Sequence, residues 1–345
     1  MTVRGPLPPP RCVRTVSFPD APRPYGLDVV RRVGGVLALM VTGGEELVFW
    51  DQATGETGRR RLADPDLPGS EFPELVDMAQ IAAASVGGRV VVGGGGDCQA
   101  FMLWDGETGE VVAQAEDEEM DVRHARSLQV DGEPVFVETW ADGRGVHVWD
   151  PSAGAGAKPR WAARDLHSAS CAVGHWGDRP VVVGTGEHLE PDSGTHVRDL
   201  VTDEPIAHVP GPAGHRNAVV TAGGRTFLVG EHGRALFVHD LDTGDLTGTL
   251  PLPGIDWEKD YVERLDTGVA HGRAILAVVS ALGTLSLWDL TDMRRIDVPP
   301  CAPEEEGTLA VRVTGMDGRP VVVRATHHWE RGTELHFWEI PPPRA

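Results

Sequence analysis

Seven times along this chain an apolar run closes on an acidic residue and gives way to a turn. The copies are LVFWDQATGE (47–56), FMLWDGETGE (101–110), VHVWDPSAGA (146–155), THVRDLVTDE (195–204), LFVHDLDTGD (236–245), LSLWDLTDMR (285–294) and LHFWEIPPPR (335–344). Their closing acids, Asp51, Asp105, Asp150, Asp199, Asp240, Asp289 and Glu339, are spaced 41 to 54 residues apart. A period of that length is a repeated supersecondary unit.

Upstream of each ending stands a tight turn followed by a Val-rich run: GGVLALMV at 34, GGRVVVGG at 87, DGEPVFVE at 131, GDRPVVVG at 177, GGRTFLVG at 223, HGRAILAV at 271 and DGRPVVVR at 317. Glycine in such turns supplies the positive φ that a two-residue hairpin needs. Each unit therefore reads as strands a, b, c and d in antiparallel order, which is a propeller blade. With 345 residues, two domains would be the default, but repeat folds escape that limit by adding units. The 43 glycines and 27 prolines fall at turn positions, as expected for many short strands. The expected fold is all-β: a seven-bladed β-propeller, residues 1–345 forming one domain.

These segments resemble the WD40 repeat family, in a divergent form of actinobacterial type: x-D-G-R-P-V-V-V, then V-x-V-W-D-x-x-T-G. The resemblance covers essentially the whole chain. It implies that d-to-a and b-to-c loops share one face, the top, and that an N-terminal strand completes the last blade. Residues 11–18, RCVRTVSF, have the length and pattern for that strand, and residues 1–10 read as a flexible tail. The chain departs from the family in its Gly-His pairs. Only Gly214-His215 is clear, in a blade with His239 where the repeat Trp should be, so most blades are expected to rely on apolar packing.

The start, MTVRGPLPPPR, has no signal-peptide h-region. The longest apolar run, 274–282, is broken by Ser280 and too short to span a bilayer. A soluble, cytoplasmic monomer is expected. Cys12, Cys98, Cys171 and Cys301 form no C-x-x-C pair and read as buried, reduced thiols.

A net charge of -21 argues against nucleic acid or anionic membrane as a partner. Most of that charge lies in four d-to-a loops, at 64–77, 116–121, 256–263 and 304–306. Their seventeen acids against Arg123 and Lys259 carry -15 of the -21. On the opposite side the a-to-b arginines, Arg89, Arg179, Arg225, Arg273 and Arg319, read as solvated turn residues.

No G-x-S-x-G, P-loop or G-x-G-x-x-G motif occurs, and no cofactor is expected. His147, His196, His239 and His336 sit at repeat positions on strands c and read as structural. His327 and His328, adjacent on a strand, point to opposite faces and suggest no metal. Residues 64–75 half-match a calcium loop, but Leu75 replaces its closing glutamate.

Of ten tryptophans, five close repeat strands; Trp140, Trp257 and Trp329 belong to top-side loops or strand ends. Loop indoles beside acids suit a partner bearing Arg or Lys. The candidate binding residues are Trp257, Glu258, Asp260, Tyr261, Glu304, Glu305, Glu306 and Trp329, with Trp140, Glu118 and Glu119. The leading expectation is a non-enzymatic scaffold for a basic protein or peptide. The alternatives are a hydrolase or lyase with a cation-assisted site at the channel mouth, and a neutralising partner of a basic toxin or nucleic-acid-binding protein.

Overall fold

The structure, a computed structural model, describes residues 7–42, 46–63, 78–96, 101–114, 122–140, 143–153, 158–186, 194–211, 214–299 and 307–342. It contains seven four-stranded antiparallel sheets, the blades of a seven-bladed β-propeller. Blades 1 to 6 run in chain order over residues 24–61, 78–114, 122–167, 172–209, 216–250 and 262–296. Blade 7 takes strands a, b and c from Ala310–Met316, Arg319–His328 and Gly332–Glu339, and its fourth strand from Arg11–Phe18. The chain falls into two compact units: residues 20–169, holding blades 1 to 3, and residues 1–19 with 170–345, holding blades 4 to 7.

The Val-rich strands b are covered on both faces, which is why they read as unbroken apolar runs instead of alternating. Arg273–Ser280 is buried at every position, and Gly35–Thr42 at every position after the first. In five blades strands a and b meet at two-residue turns with both φ angles positive, as at Asp317 (52°) and Gly318 (72°), the geometry that matches strand twist.

The acid that closes strand c uses its two oxygens for different purposes. Asp105 Oδ1 accepts the amides of Glu107 and Thr108, and Asp199 Oδ1 those of Val201 and Thr202, which fixes the c-to-d turn. Oδ2 takes a guanidinium. Arg89 pairs with Asp105, Arg179 Nε with Asp199 at 2.5 Å, Arg225 with Asp240 at 2.7 Å, and Arg273 with Asp289 at 2.7 Å. Arg32–Asp51 at 3.4 Å and Arg319–Glu339 at 3.6 Å complete the set. The expectation of merely solvated arginines is therefore corrected. All but Arg32, which ends strand a of blade 1, stand at the start of strand b, where antiparallel pairing brings them opposite the end of strand c.

Within each unit, polar side chains on strands a tie neighbouring blades. Asp28 Oδ2 accepts the Ala83 amide at 2.7 Å, and Ser127 Oγ donates to the Ala83 carbonyl at 2.9 Å. Thr221 and Thr267 donate to the carbonyls of His175 and Val219, and Asp266 accepts the Val313 amide. Apolar packing is thus supplemented by inter-blade hydrogen bonds that replace the missing His-based chain.

The closing strand spans residues 11–18 as expected, in register from Arg11↔Glu339 to Phe18↔Thr333. Of the tail expected over residues 1–10, residues 1–6 lie outside the described residues, and Leu7 is not loose. Leu7 is buried, donates its amide to the Arg295 carbonyl at 3.0 Å, and bridges Ile296 in parallel. Pro8, Pro9 and Pro10 hold the chain extended, so that Leu7 reaches the core shared by blades 6 and 7.

Candidate interaction surface

The d-to-a connection between blades 5 and 6 carries four of the candidate residues. Asp256 opens a tight turn: its carbonyl accepts the amides of Lys259 and Asp260 at 2.8 Å, and its carboxylate pairs with Lys259 at 3.4 Å. Trp257 is half-buried against the core of blades 5 and 6, so its ring holds the loop down. Glu258 is exposed.

Asp260, by contrast, is buried. Its Oδ1 accepts the amides of Tyr261 at 2.9 Å and Leu282 at 3.0 Å, and the Tyr261 carbonyl accepts the Ala281 amide at 2.9 Å. This carboxylate joins the d-to-a loop to the b-to-c hairpin of blade 6. The result is a pair of exposed side chains, Tyr261 at 56% and Leu282 at 63%. Leu282 was missed in the sequence because one leucine in a turn carries no periodic signal.

Trp329 stands on the b-to-c hairpin of blade 7 and is 80% exposed, with its ring edge-on to His327 at 5.9 Å. The hairpin is fixed by His328, whose Nδ1 accepts the Glu330 amide at 3.0 Å. Glu304, Glu305 and Glu306, like Glu118 and Glu119 and the half-match at 64–75, lie outside the described residues.

Trp140 is corrected: it is buried in blade 3, at the end of strand b, and is no surface anchor. Its ring meets Trp161 at 5.2 Å and His147 at 4.7 Å. Behind them Glu138 Oε1 lies 2.7 Å from His147 Nδ1 and accepts from Trp149 Nε1 at 3.1 Å. Burial pushes the Glu138 carboxyl up, against the lowering effect of those two bonds. In front of the rings opens a cavity of about 460 Å³ lined by Trp140, Gly143, Arg144, Trp161 and Arg164. Sequence reading passed over it, because its residues come from strands b, c and d and share no spacing.

Among the described residues, no group of three or more His, Cys, Asp or Glu side chains is placed to hold a metal ion, and no helix is long and apolar enough to cross a membrane.

No protein-family model matches the chain, and no curated protein matches it in sequence. Among solved structures, the β-propeller domain of Cps50 (Swd1) from Myceliophteria thermophila aligns with a TM-score of 0.62 at 10% identity, covering 96% of this chain and 100% of that one. The fold is a seven-bladed β-propeller. At this identity the likeness concerns architecture alone, and a propeller scaffold hosts many activities.

Proposed function

We propose that this protein is a non-enzymatic interaction scaffold that binds a basic protein or peptide through its acidic, aromatic-bearing top-side loops. The observation that carries this reading is the pair Tyr261 and Leu282, exposed side by side and held in place by the buried Asp260. Asp256 and Glu258 flank the pair with negative charge, and Glu304 to Glu306 follow on the next d-to-a connection. A phenol face beside carboxylates attracts a guanidinium or ammonium, and a rigid apolar neighbour supplies contact area at low entropic cost. Trp329 offers a second exposed ring on blade 7.

The test is titration of a fluorescent Arg-rich peptide at low and high salt against the parent chain, Tyr261→Ala, Leu282→Asp and Glu305→Lys. Affinity is expected to fall with salt and with each substitution. Trp257→Ala is a poorer probe, since that ring packs into the core. Binding indifferent to salt and to all three variants would sink the reading.

A further inference from the structure

The cavity in blade 3 owes its existence to an irregularity in the repeat. Between the pairs Arg144↔His167 and Val146↔Ala162, two steps along strand c answer five along strand d. The surplus residues form a bulge in strand d. Ala163, a buried non-glycine residue, takes φ of 55° there to turn the chain. Bulges of this kind re-aim side chains and concentrate beside binding sites.

Two glycines are fitted to the same feature. A Cβ on Gly145 would run into the carbonyl oxygen of Ala162, and one on Gly143 into the indole nitrogen of Trp140. Both also have positive φ, 72° and 135°. The seat of Trp140 and the bulge opposite it are therefore built into the backbone.

The walls are aromatic and fixed. Trp140 and Trp161 meet edge to face at 87°, and the His147 ring lies 4.0 Å from Trp161. His147 is anchored from behind by Glu138, so this wall does not have to be ordered when something binds. Arg164 stacks over Trp161 with its guanidinium carbon 4.9 Å from the ring centre, and Arg144 lines the opposite strand. Two arginines at one cavity are conspicuous in a chain of net charge -21. Of the two, the exposed Arg164 offers the planar fork that suits a carboxylate and disfavours a cationic ligand. The volume lies within the range of small-molecule sites, and ring carbon rather than polar atoms makes up the walls.

We propose that blade 3 is a binding site for a small aromatic carboxylate, its ring set against Trp161 and Trp140 and its carboxylate facing Arg164. This assignment is independent of the interaction surface on blade 6 and survives if that reading fails.

Calorimetric titration of the full chain with indole-3-acetate, 2-naphthoate and benzoate tests it, with indole-3-acetamide, tryptamine and acetate as counterparts lacking the charge, its sign or the ring. At least one aromatic carboxylate is expected to bind with a Kd below about 1 mM. Its amide or amine counterpart, and acetate, should bind at least about tenfold more weakly. Arg164→Met, an exposed position, should cost about tenfold, and Trp161→Leu should abolish the heat; thermal melts of both variants verify that they are folded. No binding by any of the three carboxylates would overturn the proposal. So would equal affinity for the amide or amine, or affinity unchanged in folded Arg164→Met and Trp161→Leu.

Discussion

Arg273 Nη1 lies 2.7 Å from Asp289 Oδ2, with 9% and 0% of the two side chains exposed. The approach is close but lacks the alignment of a hydrogen bond, so the contact is an ion pair out of water. Removing one member of such a pair leaves a buried charge, at about 3 kcal/mol or more. Arg273→Met should therefore cost roughly that much in urea unfolding, and adding Asp289→Asn should recover most of it. Arg89 makes the equivalent pair with Asp105, but its side chain is 66% exposed, so Arg89→Met should cost no more than about 1 kcal/mol.

Glu138 predicts a pH dependence. Burial raises its pKa above 4.5 despite the bonds from His147 and Trp149. A carboxyl that is harder to ionise folded than unfolded contributes stability fully below its unfolded value, and that contribution is lost as pH rises through the raised one. Glu138→Gln keeps the Oε1 acceptor and removes the titration. Urea midpoints between about pH 4 and pH 8 should fall less steeply for the variant, leaving it the more stable protein at neutral pH.

The repeat was legible because one local rule recurs in six blades: an aspartate at the end of strand c caps the following turn, as Asp105 does for Glu107 and Thr108. Its partner arginine was not, since Arg89 and Asp105 meet only through strand pairing, and sequence gives charge without the neighbour. Asp260 failed for a related reason. It looks like one acid in an acidic loop, yet its Oδ1 is spent on two backbone amides. The blade 3 cavity depends on a register shift, and side-chain period alone does not reveal a bulge.

The Asp260 contact predicts a local effect. Asp260→Ala leaves two amides without their acceptor, at about 1 to 3 kcal/mol. Because the Leu282 amide is one of them, its hydrogen exchange should accelerate well before that of the buried strand Arg273–Ser280.

Leu7 docks the segment that precedes strand Arg11–Phe18. It is 4% exposed within the core of blades 6 and 7, so Leu7→Ala should lower unfolding free energy by about 2 kcal/mol or more. Deleting residues 1–6 should change little, whereas deleting residues 1–18 should strip strand d from blade 7, expose the edge of Gly332–Glu339 and promote aggregation.

The pairing of Arg11–Phe18 with Gly332–Glu339 also sets a timetable. Arg11–Phe18 is synthesised long before the strand it pairs with, since Arg11 and Glu339 lie 328 positions apart. Every other blade takes its four strands from one continuous stretch and can pair as it emerges. Blade 7 cannot, and until Gly332–Glu339 has been made its future outer strand travels as an unpaired segment open to chaperones, proteases or the wrong sheet edge.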